Sequence, residues 1–160
     1  MKHFESLVDD FSNGMLVTKH DPGVLRARPM HVADYDDAGK LWFLTDRDSA
    51  KVDELEDDSR VAVTFQDGQR FVSITGLADV VTDPVRIGAL WNPAWRLWFP
   101  NGKEAHGLVA VRVTPIEGEY WDNSGVVNKL KFAKQAVEAI LTGSTPDVDD
   151  PAQHGHVAQL

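Results

Sequence analysis

The chain has 160 residues, a formal net charge of −9, 42% hydrophobic and 26% charged residues, and no cysteine. That length suits one domain with one core, the mixture is not that of a disordered chain, and disulfides, thiolate nucleophiles and Cys-based metal sites are excluded. Net acidity repels nucleic-acid phosphates, so no nucleic-acid partner is expected and any bound anion needs a local cluster of cations.

In chain order, Phe4, Leu7, Val8 and Phe11 recur at helical spacing and predict a short amphipathic helix over residues 2–11. The opening residues Met1 to Ser6 lack the apolar stretch of a secretory signal, which leaves the cytoplasm as the expected location. Gly14 breaks the helical pattern, Met15 to Thr18 read as a buried strand, and Lys19 to Gly23 read as a turn. From Val24 to Val32 the alternation puts Arg26, Arg28, Met30 and Val32 on one strand face and Leu25, Ala27 and His31 on the other. The polar turn Asp36 to Lys40 leads into the strand Leu41-Trp42-Phe43-Leu44-Thr45. Asp46 or Asp48 then caps a short helix through Ser49 to Leu55.

Residues 61–65 and 71–81 are two further strands around the turn Gln66 to Gln69, and Gly76 marks a bulge. Asp83-Pro84 opens a helix carrying Ile87, Leu90 and Trp91. Asn92-Pro93 interrupts it. Leu108 to Val113 and Glu119 to Asp122 read as separate strands about a Thr114-Pro115 bend, and residues 127–141 read as a helix packed outside the sheet. The longest apolar runs, such as Leu108 to Val111, fall far short of the roughly 20 residues of a membrane span, so no membrane partner is expected. The folded domain is expected over residues 1–143, with an acidic, poorly ordered tail over 144–160. About six strands joined by short turns suit a mainly β fold, an antiparallel barrel with flanking helices, and no Gly-rich nucleotide-binding loop is present.

Arg26 and Arg28 on one strand face, with Ser49 and Lys51 near a helix start, are a donor set able to hold a phosphate. The same two arginines could instead pair with an acid from a neighbouring strand. The strand Leu41 to Thr45 offers backbone groups that can read the edge of a planar heterocycle, with Trp42, Phe43 and Trp121 either walling it or packing in the core. Three indoles within eight residues, Trp91, Trp95 and Trp98, read as a subunit interface or a pocket wall.

Taken together, Arg26-Ala27-Arg28-Pro29-Met30, Leu41 to Asp46 with Ser49 and Lys51, Leu90-Trp91-Asn92-Pro93, Trp98-Phe99-Pro100 with Gly102, and Glu119-Tyr120-Trp121-Asp122 resemble the general stress protein branch of the pyridoxamine 5'-phosphate oxidase-like, flavin-binding split-barrel superfamily. The resemblance spans nearly residues 4–143. It implies a six-stranded antiparallel split barrel forming a homodimer with flavin sites between subunits, FMN as the cofactor with FAD as an alternative, and a small-molecule ligand. By the same resemblance Arg26, Arg28, Pro29 and Met30 lie along the flavin ring and ribityl chain, and Phe43, Leu44 and Thr45 meet the ring edge through backbone. Ser49 and Lys51 hold the phosphate, and Trp121 and the Trp91 to Trp98 segment, Trp98 included, help to close the pocket, from the same subunit or from its partner. The expected function is that of a flavin-dependent redox protein, an FMN-dependent oxidoreductase if it turns over, or a protein that sequesters flavin without turnover. No catalytic residue is assigned. The authentic oxidases carry a second, basic site for the substrate phosphate, which the acidic second half does not reproduce, so pyridoxal phosphate synthesis is not expected.

The histidines reproduce no metal-ligand spacing, and His20, His31 and His106 read as structural or surface residues. Ser73, Thr75 and Ser124 lack a nucleophile context. Asp53, Glu54, Glu56, Asp57 and Asp58 read as a solvated acidic helix end with no chemistry.

Overall fold

The computed structural model describes residues 2–103, 105–125, 133–136, 138, 141, 142 and 153–158. Helix α1 (Lys2–Asp9) precedes strands β1 (Asn13–His20), β2 (Val24–Tyr35) and β3 (Leu41–Asp46), then helix α2 (Ala50–Asp57) and strands β4 (Arg60–Asp67) and β5 (Arg70–Val81). Helix α3 (Pro84–Leu90) and a 3-10 helix (Pro93–Leu97) lead into the long β6 (Leu108–Asp122), and β7 (His154–Ala158) follows. Strands β3-β2-β1-β4-β5-β6 are hydrogen-bonded in that order and β6 returns to β3, which closes a six-stranded antiparallel barrel. Closure removes the exposed strand edges an open sheet would present.

Alternation along the strands divides inside from outside. Leu16, Phe43, Val63, Val72, Ile74, Val111 and Val113 fill the barrel, and Phe4, Leu7 and Val8 of α1 with Phe11 plug one end. Phe11 stacks on Phe65 with ring centres 5.3 Å apart. β3 is buried on both faces: Leu41 and Phe43 point into the barrel, while Trp42 and Leu44 point into a second cluster with Ile87, Leu90, Trp95, Leu108 and Ala110. Burial on both sides is why β3 reads as an unbroken apolar run. Asp83 caps α3 by accepting from the Val85 N–H, with Pro84 in the first turn, as its sequence implies.

Three expectations are corrected. The Thr114-Pro115 bend does not separate two strands, because β6 runs unbroken through it. The register between β5 and β6 shifts at Thr75/Gly76, so Gly76 lies opposite Pro115 and Thr75 opposite Glu117. A Cβ on Gly76 would sit 2.4 Å from the Thr114 carbonyl oxygen, so the missing side chain lets the bulge form and absorb a residue that has no N–H. The second correction concerns the supposed tail. His154–Ala158 form β7 on the edge of β6 beyond β3, with Glu117 to Trp121 as partners. Gly155 permits this, since a Cβ there would lie 2.5 Å from the Tyr120 ring. The third is the start of α2, where Ser49, and neither Asp46 nor Asp48, occupies the capping position. Of the helix expected over 127–141, residues 133–136, 138 and 141 are helical, and the rest lies outside the described residues. No helix among the described residues is long and apolar enough to cross a membrane.

Candidate functional site

The strands β2 and β3 part company part-way along. Their pairing runs from Tyr35/Leu41 to Val32/Phe43 and ends there, after a register shift between Val32 and Asp34. Beyond that point Leu44 and Thr45 pair with Ala110 and Val109 of β6, while Pro29, Met30 and His31 of β2 pair with β1. The gap between them is a cleft of about 360 Å³ lined by Pro29, Met30, His31, Leu44, Thr45, Asn13, Trp95, Trp98 and Phe99. Its size falls at the low end of the roughly 300–1,000 Å³ of small-molecule sites, and its walls are mostly apolar and aromatic. The His31 ring lies nearly parallel to Trp98 at 18° and edge-on to Trp95, and its Nδ1 is 3.1 Å from Asn13 Oδ1. Trp98 is 62% exposed, so its indole is a wall with a face left open.

At the Thr45 end the cleft meets a corner rich in cations. Arg26 and Arg28 share the inward face of β2, opposite Thr18 and Leu16 of β1. Lys51, in the first turn of α2, donates to Thr45 Oγ1 at 2.9 Å, and Ser49 Oγ lies 3.3 Å from the same oxygen. Ser49 makes no side-chain cap bond, so its hydroxyl faces Thr45 instead of the helix start. Both arginines converge on Glu54 of α2: Arg28 Nη2 donates to Oε2 at 2.6 Å and Arg26 Nη1 to Oε1 at 3.0 Å. Thr18 donates its hydroxyl to Oε2 at 2.5 Å and accepts from Arg28 Nη1, and His20 Nδ1 is 3.4 Å from Oε1.

The protonation of this corner follows from burial and charge. Burial opposes ionisation of Glu54, yet the hydrogen bonds from Thr18 and Arg28, the Arg28 charge and the Arg26 bond together hold its carboxyl below the usual range. Lys51 is pushed below the usual lysine value, first by burial and then by the Arg28 charge, with only partial relief from Glu54 and Asp46. A lysine shifted that way is partly desolvated and only partly balanced by the carboxylates near it. An anion arriving beside it would reverse the shift.

The model of the family described as pyridoxamine 5'-phosphate oxidase like matches residues 1–147. The chain belongs to this family. Among solved structures, the general stress FMN/FAD binding protein of Xanthomonas citri is 30% identical, with 78% of this chain and 88% of that one covered and a TM-score of 0.64. General stress protein 26 of Bacillus anthracis superposes with a TM-score of 0.67 at 21% identity, over 74% of this chain and 91% of that one. At that identity the likeness speaks for the fold. Protein bli-3 of Neurospora crassa is 27% identical over 139 residues, which is 79% of this chain and 65% of that curated relative, so the chain spans about two thirds of its length.

Within this member of the pyridoxamine 5'-phosphate oxidase-like family, most of the residues expected at a site are neighbours. Pro29, Met30, Leu44, Thr45 and Trp98 line the cleft, and Arg26, Arg28, Ser49 and Lys51 form the corner beside it. Phe43 has no side-chain access, being wholly buried in the barrel, so only its backbone borders the point where β2 and β3 part. Trp121 does not line the cleft of its own chain. It lies on the outer face opposite Phe71 and stacks on His154 at 5.2 Å and 11°.

Glu54, Thr18, His31, Asn13 and Phe99 were not foreseen at the site, whereas Trp95, read as part of an interface or pocket wall, does line the cleft. Glu54 is the buried member of an acidic run in which Asp53, Glu56 and Asp57 are exposed and Asp58 is half-buried, so composition conceals it. Helix phase does not, since Glu54 stands three residues after Lys51 and beside the buried Val52 and Leu55. His31 was read as a structural or surface residue, and it is exposed, onto the cleft.

Proposed function

We propose that this protein binds flavin mononucleotide, with the phosphate at the Arg26, Arg28, Lys51 and Ser49 corner and the ring system in the aromatic cleft, and works as a flavin-dependent redox protein on a small molecule. One observation carries the reading: Thr45 belongs to both places, lining the cleft while accepting from Lys51, so an anion site and a ring site are continuous. The donor set fits the group. Three cations stand around one buried carboxylate, two hydroxyls stand by, and Lys51 is only partly balanced by Glu54 and Asp46. A family member 30% identical to this chain is described as FMN/FAD binding.

A bound flavin would supply the electron chemistry at its ring. The chain's own part is to hold the phosphate, orient the ring between Met30, Leu44 and Trp98, and keep water from one side of it. The outer barrel face next to the cleft supports a homodimer with flavin at its seam. Met15 and Val17 of β1, Ala27 and Pro29 of β2 and Ala62 and Thr64 of β4 are side by side there, all uncharged. Pro29 belongs to that face and to the cleft, so a second copy seated on it would cover the cleft's open side, and Trp121 lies on the same outer surface. Flavin holding without turnover is favoured by one feature, the cleft lining, in which His31 is the sole titratable side chain among the described residues.

Titration with FMN and riboflavin, followed by extraction of any yellow chromophore, tests the binding. FMN is expected to bind at least about tenfold tighter than riboflavin, as charge-assisted phosphate contacts require. Equal binding defeats the phosphate assignment. Stopped-flow mixing with NADH or NADPH then separates redox turnover from holding: saturable reduction supports the first, and reduction no faster than that of free flavin supports the second.

A further inference from the structure

Glu54 is the one buried carboxylate in a corner that would have to receive an anion, and it is 4% exposed. An acid in such a place is either a competitor for the arginines or the group that makes them usable. We propose that Glu54 is a positioning residue, the site's own counter-charge, which holds Arg26 and Arg28 in place for a dianionic phosphomonoester. This inference rests on the flavin-phosphate reading above and adds to it the residue that organises the site and the charge state it selects.

The geometry favours positioning over competition. Glu54 uses its two oxygens on different arginines, Oε1 on Arg26 and Oε2 on Arg28, so one carboxylate fixes the spacing of two guanidinium groups. Thr18 ties the arrangement from the β1 side by donating to Glu54 while accepting from Arg28. These bonds occupy two N–H groups of Arg28 and one of Arg26, and a guanidinium carries more donors than that. Donors therefore remain for an incoming anion. Without Glu54 the two arginines and Lys51 would repel one another across the same corner, and Lys51 already shows the Arg28 charge acting against its protonation.

The charge count points to the ligand class. Arg26, Arg28 and Lys51 against Glu54 leave a surplus of two positive charges, with Asp46 adding only a weaker attraction to Lys51 from its exposed position. A terminal phosphomonoester carries about −1.5 to −2 at neutral pH, which such a surplus balances. A dinucleotide's pyrophosphate carries about two negative charges as well, but spreads them over two phosphates, about one on each, whereas the monoester concentrates its charge on one.

Fluorescence titrations of the full chain and of Glu54→Gln with FMN and with riboflavin test this. Glu54→Gln is expected to weaken FMN about tenfold while riboflavin stays within about twofold, because only the phosphate-dependent share of binding depends on the arginines. FMN binding that is unchanged or tighter in Glu54→Gln makes Glu54 a competitor and overturns the proposal. A parallel loss for FMN and riboflavin makes its role one of general folding and overturns it as well. The unsubstituted protein separates the two levels of inference: if it binds FMN and riboflavin alike, the phosphate reading itself has failed, whereas the Glu54 role fails alone if the unsubstituted protein discriminates and the variant discriminates equally well. Should Glu54→Gln not fold, Thr18→Val decides, with about a threefold loss of FMN and none of riboflavin expected, and no loss overturning the proposal.

Discussion

Two corners of the barrel carry arginines beside buried aromatic or polar groups, and they settle their charge differently. On the outside of β3, Arg86 lies 4.1 Å over the Trp42 ring and Arg112 lies 5.6 Å from it. Arg86 Nη2 is 3.0 Å from Asp34 and 3.7 Å from Asp36, and Arg112 donates to both oxygens of Asp79 at 2.9 and 2.8 Å. Asp36 also accepts from Trp42 Nε1 at 2.7 Å. Two cations meet three acids there, so every positive charge is spent on holding the strand's outer packing together. At the Glu54 corner two arginines pair with one buried acid, and a third cation, Lys51, donates to Thr45, which lines the cleft. The same residue types thus build a structural network in one place and a candidate anion site in the other, and the balance of charge separates them.

Removing cations from each corner breaks this comparison most sharply. The double variant Arg28→Ala with Lys51→Ala is expected to weaken FMN about 100-fold, with riboflavin binding changed by no more than about twofold. The two substitutions are close enough that their effects will not add, so the double variant is the informative one. Arg86→Ala is expected to leave FMN binding within about twofold and to lower unfolding stability by roughly 1–2 kcal/mol, through lost stacking on Trp42 and lost hydrogen bonding, with its part-exposed ion pairs contributing little. Urea unfolding and flavin titration on the same samples read both numbers. Loss of FMN binding in Arg86→Ala would dissolve the distinction between the corners.

How far the two corners were legible in the sequence differs in an instructive way. The alternation of Arg26, Arg28 and Met30 is a periodic signal that survives in β2, while the unbroken apolar run Leu41 to Thr45 survives in β3 because that strand is buried on both faces. The fate of the arginines was left open between a phosphate and a neighbouring acid, and the structure supplies the acid from α2 and not from a strand. Glu54 was hidden because charge runs are ordinarily solvated, and only three-dimensional packing picks one member out of five. β7 was missed for a similar reason: His154-Gly155-His156 is short and polar and gains its order from pairing with β6 and from Glu119, which lies 2.8 Å from His154 Nε2. Gly76 was read correctly as a bulge, but its consequence for Pro115 lies 39 residues away in the chain and becomes visible only with the register known.

A smaller effect sharpens the division inside the site itself, between ring and phosphate. Trp98→Ala removes a mostly exposed wall of the cleft and touches none of the cations. Its expected cost is about 1 kcal/mol of affinity, equal for FMN and riboflavin, because stacking does not depend on the phosphate. A loss confined to FMN would place Trp98 on the phosphate side and contradict the cleft as the ring site.

The finest distinction is in acid. Burial raises the cost of ionising Glu54, but the bonds from Thr18, Arg28 and Arg26 outweigh it and its carboxyl is held below the ordinary value of 4.5. As pH falls through 4.5 the unfolded chain therefore takes up the proton first, the unfolded state binds more protons than the folded one, and stability declines until the folded carboxyl is protonated too. Above 4.5 the contribution is constant. Asp36 behaves alike at the other corner, where the Trp42 bond, the Lys40 and Ala38 backbone N–H groups and the Arg86 charge overcome burial and hold it below 3.8. Glu54→Gln should then lose stability less steeply than the native protein below pH 4.5 while keeping the later decline that belongs to Asp36 and Asp58, and Asp36→Asn should keep the Glu54 share and lose part of that later decline, both measured as urea midpoints against pH. Parallel acid limbs for Glu54→Gln and the native protein would mean that the carboxylate is not held low by the arginines, and the charge surplus assigned to that corner would have to be counted again.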